Sequence, residues 1–308
     1  MSEVWGVLAA VVSSALGGAS VGATRYLVDA IDPLAIGSFR FGMGFLLLLP
    51  VALVQGHRWP TRRDWPAVAG LGLLFYAAFP ILFNASLIFT TTARGALALS
   101  TLPLLTMVVG AALGSEPLTA RKTTGVLVAI LAVSMALLSG LATAPDGAWR
   151  GDLLMVGAAL CMAFYSIWSK PVIRRSGPIP FTTLAMAAGA AVLVILSRLH
   201  GSFALVEAFG PPQWVAVLYL GAFGSALTFY LWSFALEQTT PTCVAISVTV
   251  NPVVASLVGA TLLGEPLRWN LLAGIVTVFI GIWIATGQSR RKIDTQTDPS
   301  TLELRINR

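Results

Sequence analysis

The chain has 308 residues, 56% of them hydrophobic and 10% charged, with a net charge of +6 and a mean hydropathy of +0.84. An average soluble domain is about 25% charged, so a soluble globule is excluded for want of polar surface to face water. The two cysteines, Cys161 and Cys243, both lie inside apolar runs, which excludes a disulfide framework or a zinc site.

A membrane span needs about 20 apolar residues. Breaking the chain at charges, prolines and turn residues gives ten such runs, at 4–24, 33–54, 66–89, 94–113, 122–142, 151–169, 179–198, 213–236, 242–263 and 270–287. The first is expected to remain as a helix, because Met1 to Trp5 lacks the basic start of a signal peptide. Residues 289–308 are rich in charge and threonine and are expected to form a disordered cytoplasmic tail. Cytoplasmic loops retain lysine and arginine. The two strongest basic clusters before the tail, His57 to Arg63 and Lys170 to Arg175, fall on the same side of a ten-span chain. Both termini are therefore expected in the cytoplasm.

The chain also repeats itself. Over 65–125, position n pairs with n + 149: Trp65 with Trp214, Gly72 with Gly221, Pro103 with Pro252, and Glu116-Pro117-Leu118 with Glu265-Pro266-Leu267. Nearer the start the offset is 145, pairing Gly6 with Gly151, Arg25 with Lys170 and Pro33 with Pro178. Each half, 1–145 and 146–288, holds five spans, an odd number, so equivalent helices are expected to cross the bilayer in opposite directions. The expected fold is thus an all-α integral membrane protein of ten transmembrane helices, two inverted five-helix repeats of the kind common in secondary transporters.

Several side chains stand out against this apolar background. Arg40 lies well inside the second span, where an unpaired cation costs at least about 2 kcal/mol. It reads either as a clamp for a substrate carboxylate or as a structural group, bonded to freed backbone carbonyls or snorkelling toward Asp29 and Asp32. Pro103 and Pro252 sit mid-span, each removing a backbone hydrogen bond and breaking its helix at a gating position. Glu116 and Glu265 precede a proline at a helix start and are expected to cap it. No Asp or Glu lies deep in any span, which argues against proton antiport through a buried carboxylate. Tyr76, Phe79 and Phe83 share one helix face, matched by Ser225, Thr228 and Trp232, with Tyr165 and Trp168 on the sixth span. They describe an amphipathic pocket, to which Ser100, Thr249 and Asn251 add polar contacts; Asn84 sits one position off that face. The pattern Gly18-Ala19-Ser20-Val21-Gly22 spells a nucleophile elbow, but it lies within a helix. Its glycines, with Gly110 and Gly114, read as close helix contacts. No metal, nucleotide or phosphate motif is present, so no cofactor and no enzymatic activity are expected.

The doubled pattern Ala96, Pro103, Gly110, Glu116-Pro117-Leu118 and Ala245, Pro252, Gly259, Glu265-Pro266-Leu267 resembles the EamA type of the drug/metabolite transporter superfamily. Arg25, Lys170 and Arg40 also fit, and the likeness runs from about residue 5 to 287. In overall look the chain is similar to bacterial amino-acid exporters, including those of the YddG type. The resemblance implies a basket of helices around a central cavity open to one side at a time, lined by the first, third, fourth, sixth, eighth and ninth helices. It further implies export of amino acids, aromatic or large and apolar, across a bacterial inner membrane by alternating access. The partners are then a small-molecule substrate and the bilayer, not nucleic acid, and the expected state is a monomer. The alternative is a transporter of the same superfamily for a drug, nucleotide sugar or other metabolite.

Overall fold

The structure is a computed structural model and describes residues 2–54, 59–115 and 146–264, with isolated positions between 120 and 131 and at 276. Among the described residues eight helices are long and apolar enough to cross a membrane, and no strand occurs. They are α1 (Ser2–Val28), α2 (Pro33–Val54), α3 (Trp65–Phe89), α4 (Thr92–Ala112), α5 (Ala148–Ser176), α6 (Pro178–Leu199), α7 (Pro211–Gln238) and α8 (Pro241–Leu262). The first four fall on the first four expected spans and the last four on the sixth to ninth. The fifth and tenth expected spans, the Glu116 and Glu265 caps and the tail lie outside the described residues.

The helix starts follow from local chemistry. Proline opens or immediately follows the opening of α3, α6, α7 and α8, where its missing N–H costs nothing. The Asp32 carboxylate accepts the Leu34 N–H at 2.8 Å, and the Thr91 and Thr240 hydroxyls accept N–H groups at the starts of α4 and α8. α5 differs from the expected span: it continues past residue 169, through Pro171, to Ser176. The basic residues taken as a loop instead form its last turns, where cations offset the negative end of the helix. It stops at Gly177, whose φ of +85° only glycine adopts without strain.

Four helices carry interruptions, and these pair across the chain. α3 widens into a π-turn at Leu74–Ala78 and α7 into one at Ala222–Leu227. In α3 the Phe79 N–H bonds to the Leu74 carbonyl, five residues back, and in α7 the Thr228 N–H reaches the Phe223 carbonyl. Both donor and acceptor are displaced by the repeat offset of 149. α4 breaks at Ser100 and Thr101, just before Pro103, and α8 passes through a short 3₁₀ segment at Val248–Val250, just before Pro252.

Helix contacts are reciprocal in the same sense. α2 packs along α6; α1 packs on the second parts of α7 and α8, and α5 on the second parts of α3 and α4; the first part of α3 lies on α6, and that of α7 on α2. Each half is thus interlocked with the other. Lipid tails are as apolar as leucine, so association in a bilayer depends on close packing and interhelical hydrogen bonds. Small residues supply the first: a Cβ at Gly18 would meet the Asn251 carbonyl oxygen at 2.7 Å, and one at Gly72 would meet the Ala185 backbone. Hydroxyls supply the second, through Ser38 with Ser197 at 2.8 Å and Thr182 to Ser233 at 2.7 Å. Leu46, Leu153 and Val215 remain more than half exposed, as lipid-facing residues should.

Ion pairs sit at the helix ends. Arg94 at the start of α4 holds Asp152 at the start of α5 through two hydrogen bonds, 3.1 and 2.5 Å. At the opposite end of α5, Arg175 pairs with Asp64 at 2.8 Å. The Thr61 hydroxyl and then Arg175 hold the Asp64 carboxyl below the usual carboxylate range.

Candidate functional site

Midway along the helices, a cleft of about 400 Å³, its open mouth included, is walled by α1, α2, α3, α4, α5, α7 and α8. Its aromatic walls are Phe79, Phe83, Phe229 and Trp232, and its polar lining is Ser13, Ser14, Arg40, Thr228 and Asn251. Several wall residues are equivalent under the two repeat offsets: Gly17 with Met162, Phe79 with Thr228, Phe83 with Trp232, and Leu99 with Val248. The same helix faces of the two halves therefore meet here. Among the described residues, no Asp or Glu lines the cleft.

Arg40 is 3% exposed, and its position follows from the π-turn of α7. There the Thr228 N–H bonds to Phe223 and Ser225, skipping the Gly224 carbonyl. Arg40 takes that carbonyl, donating from Nε at 3.2 Å and from Nη2 at 2.7 Å. Its guanidinium carbon also lies 5.3 Å from the Phe41 ring centre and 5.8 Å from those of Phe83 and Phe229, distances at which a cation is attracted to a ring face. Asp29 is occupied by Arg25 and Asp32 by the start of α2, so neither serves Arg40. The third nitrogen, Nη1, is buried without a partner. Trp232 Nε1 and Asn251 Oδ1, also on the cleft wall, are likewise buried and unpartnered. Buried polar atoms are nearly always satisfied, and three open ones, on α2, α7 and α8, belong to residues of this one cleft wall, where a bound molecule's polar groups can meet them.

The residues expected to line a pocket divide in two. Arg40, Phe79, Phe83, Trp232 and Asn251 reach the cleft. Tyr76 and Tyr165 do not line it: both are fully buried, share a hydroxyl hydrogen bond at 3.1 Å, and belong to an aromatic cluster in which Phe75 stacks on Tyr165 at 4.1 Å. Ser100 and Thr249 are buried beside the helix breaks, their hydroxyls spent on the Ala96 and Ile246 carbonyls. Trp168 is 48% exposed and lies against Phe164 on the outer face of α5. Asn84 donates to the Pro33 carbonyl at 2.9 Å, away from the cleft. Pro103 and Pro252 each stand at the first turn after their helix break.

Sequence reasoning passed over Ser13, Ser14, Gly17, Leu99, Met162, Phe229 and Val248, all of which line the cleft. Ser13 donates to the Thr228 carbonyl at 2.8 Å and Ser14 shares a hydrogen bond with Ser247 at 2.8 Å. Adjacent serines in an otherwise apolar first span were the available signal, since hydroxyls in lipid need a partner on another helix.

Comparison with known proteins agrees with this architecture. A model of the EamA-like transporter family matches the chain twice, over residues 4–138 and 149–287. The inner membrane transporter YedA of Escherichia coli, itself uncharacterised, is 28% identical, over 86% of this chain and 85% of its own. A probable terminal-alkyne amino-acid exporter of Streptantibioticus cattleyicolor is 25% identical over 97% of both chains. A protein of known crystal structure shares the fold with a TM-score of 0.69 at 20% identity, over 92% of this chain and 97% of that one.

Proposed function

The chain belongs to the EamA-like transporter family and is a multi-pass membrane transporter; from that premise we propose that it exports amino acids, aromatic or large and apolar, across a bacterial inner membrane by alternating access. The observation that carries this reading is the mid-membrane cleft itself. It joins four aromatic walls to unpartnered donors and an unpartnered acceptor, the combination that a molecule with a ring at one end and charges at the other would satisfy. The amino-acid exporter of S. cattleyicolor, similar along nearly the whole chain, supports the same substrate class.

In this proposal the working unit is two inverted five-helix repeats, 1–145 and 146–288, within ten helices, with both termini cytoplasmic. The double family match, the π-turns one repeat apart and the reciprocal helix contacts support it. Rocking one repeat against the other opens the cleft alternately, with the breaks before Pro103 and Pro252 as the pliable points. Among the described residues no carboxylate lines the cleft, which supports transport without a proton carried on a buried acid.

The test is efflux from proteoliposomes loaded with a mixture of amino acids and read by mass spectrometry, with and without a pH gradient. Selective efflux of aromatic or large apolar members without a gradient is expected. If no amino acid leaves under either condition, the amino-acid assignment fails, and drugs and nucleotide sugars become the substrates to screen.

A further inference from the structure

Arg40 divides its hydrogen bonds. Nε and Nη2 hold the carbonyl that the α7 π-turn leaves over, while Nη1 has no protein partner and the side chain forms part of the cleft wall. The three aromatic rings around the guanidinium stabilise its charge but offer no acceptor in the plane of its N–H groups. Among the described residues no carboxylate lines the cleft, and the acidic residues nearest in sequence, Asp29 and Asp32, are engaged elsewhere. A cation this deep, with no counter-charge among the described residues of the cleft wall, is completed by an anion that arrives with the cargo.

We propose that the cleft is a carboxylate-recognition site in which the free N–H groups of Arg40 Nη1 bind the α-carboxylate of the substrate, Asn251 Oδ1 accepts from its ammonium group, and Trp232 Nε1 offers a second donor. The proposal deepens the transport reading and rests on it. Asn251 sits on the opposite side of the chain's duplication from Arg40, held close to α1 where Gly17 and Gly18 leave no side chain between them. The cleft wall thus carries a cation from α2 and a neutral acceptor from α8, the pair of groups that a zwitterion needs. A phosphate ester fits less well: it carries up to two negative charges where the cleft has one cation, and it brings nothing for the Asn251 oxygen to accept. The π-turn is part of the device, because without the skipped Gly224 carbonyl the guanidinium would have no anchor fixing which nitrogen stays free.

The experiment is efflux of four ring-matched solutes from proteoliposomes carrying the full chain: phenylalanine, phenylalaninamide, phenethylamine and 3-phenylpropionate. Phenylalanine is expected to leave fastest, with the amide and the amine slower by about tenfold or more, as loss of a charge-assisted hydrogen bond implies. Asn251→Asp, which supplies a carboxylate from within, is expected to slow both acids and to shift preference toward the amine. Arg40→Lys is expected to lessen the gap between acid and amide. The wild-type series needs no variant, and the Asn251 change is nearly isosteric, so a poorly folded Arg40 variant does not spare the proposal. Wild-type efflux of the amide as fast as the acid overturns the carboxylate site while leaving amino-acid export standing. If no amino acid moves, yet 3-phenylpropionate leaves and Asn251→Asp blocks it, the export reading fails and the carboxylate site stands. Efflux of none of the four overturns both.

Discussion

The π-turns of α3 and α7 occupy the same register in the two halves of the chain, yet they are held open by different means. In α3, Pro80 stands one residue after the Phe79 N–H that closes the π-turn. Having no N–H, and with its ring pressing on the turn before it, proline makes a regular α-turn costly there. The equivalent position in α7 is Phe229, which imposes nothing of the kind. Its turn is held instead by side-chain donors: the Thr228 hydroxyl on the Phe223 carbonyl at 2.6 Å and Arg40 on the Gly224 carbonyl. The contents differ as well. The α3 turn is filled by Phe75 and Tyr76, locked into an aromatic cluster with Tyr165 and Phe229, whereas the α7 turn carries Gly224 and Ser225. Duplication kept a backbone device and let its filling diverge. One copy became packed with aromatic rings and the other an anchor for Arg40 on the cleft wall.

The largest difference between the two is expected at the glycine that precedes each turn. A Cβ at Gly72 would meet three Ala185 backbone atoms, which have no rotamer by which to yield, whereas one at the equivalent Gly221 would meet the Met43 side chain, whose Sδ and Cγ can turn away and whose Cβ, 2.8 Å off, must shift slightly. Gly72→Ala should cost about 3 kcal/mol, the upper range for overpacking, and Gly221→Ala about 1 kcal/mol. Melting temperatures in detergent would show it, and equal losses would deny that α3 is the more tightly seated turn.

Arg40→Met comes next, with an expected cost of about 2 kcal/mol from leaving a buried carbonyl unmet, together with loss of transport. An unchanged melt would mean that the Thr228 hydroxyl holds the α7 turn alone. Pro80→Ala should cost about 1 kcal/mol: closing the turn to regular helix rotates the preceding residues by about 100° and draws Tyr76 away from Tyr165. Hydrogen exchange at Phe79 would report whether the π-bond persists; if it does, ring packing and not proline maintains it. The smallest effect belongs to Tyr76→Phe, which removes one hydroxyl hydrogen bond and keeps the ring, at about 0.6 kcal/mol. The same loss in Tyr165→Phe, with no further loss in the double variant, would confirm that the two hydroxyls serve only each other.

What the sequence determined by itself was the membrane, the helix positions, the duplication and its register. These rest on composition, span length and breakers, which act along the chain: twenty apolar residues must pair their own backbone groups wherever they lie, and Pro103 and Pro252 each remove a backbone donor whatever surrounds them. Arg40, Trp232 and Asn251 were legible as pocket residues because a charge, an indole or an amide within a span needs company. Helix faces were harder to read. Tyr76 shares a face with Phe79 but turns into an aromatic cluster, and Trp168, one turn from Tyr165, faces outward, since aromatic rings are as much at home in lipid as in a core. The π-turns could not be foreseen, because each shifts the helical phase by one residue and so changes which side chains share a face. Only the tertiary structure decided that the carbonyl skipped by one such turn lies within reach of Arg40, 184 residues earlier. That contact joins groups with no local relation in the chain, and it is what leaves one guanidinium nitrogen of the cleft wall unpartnered.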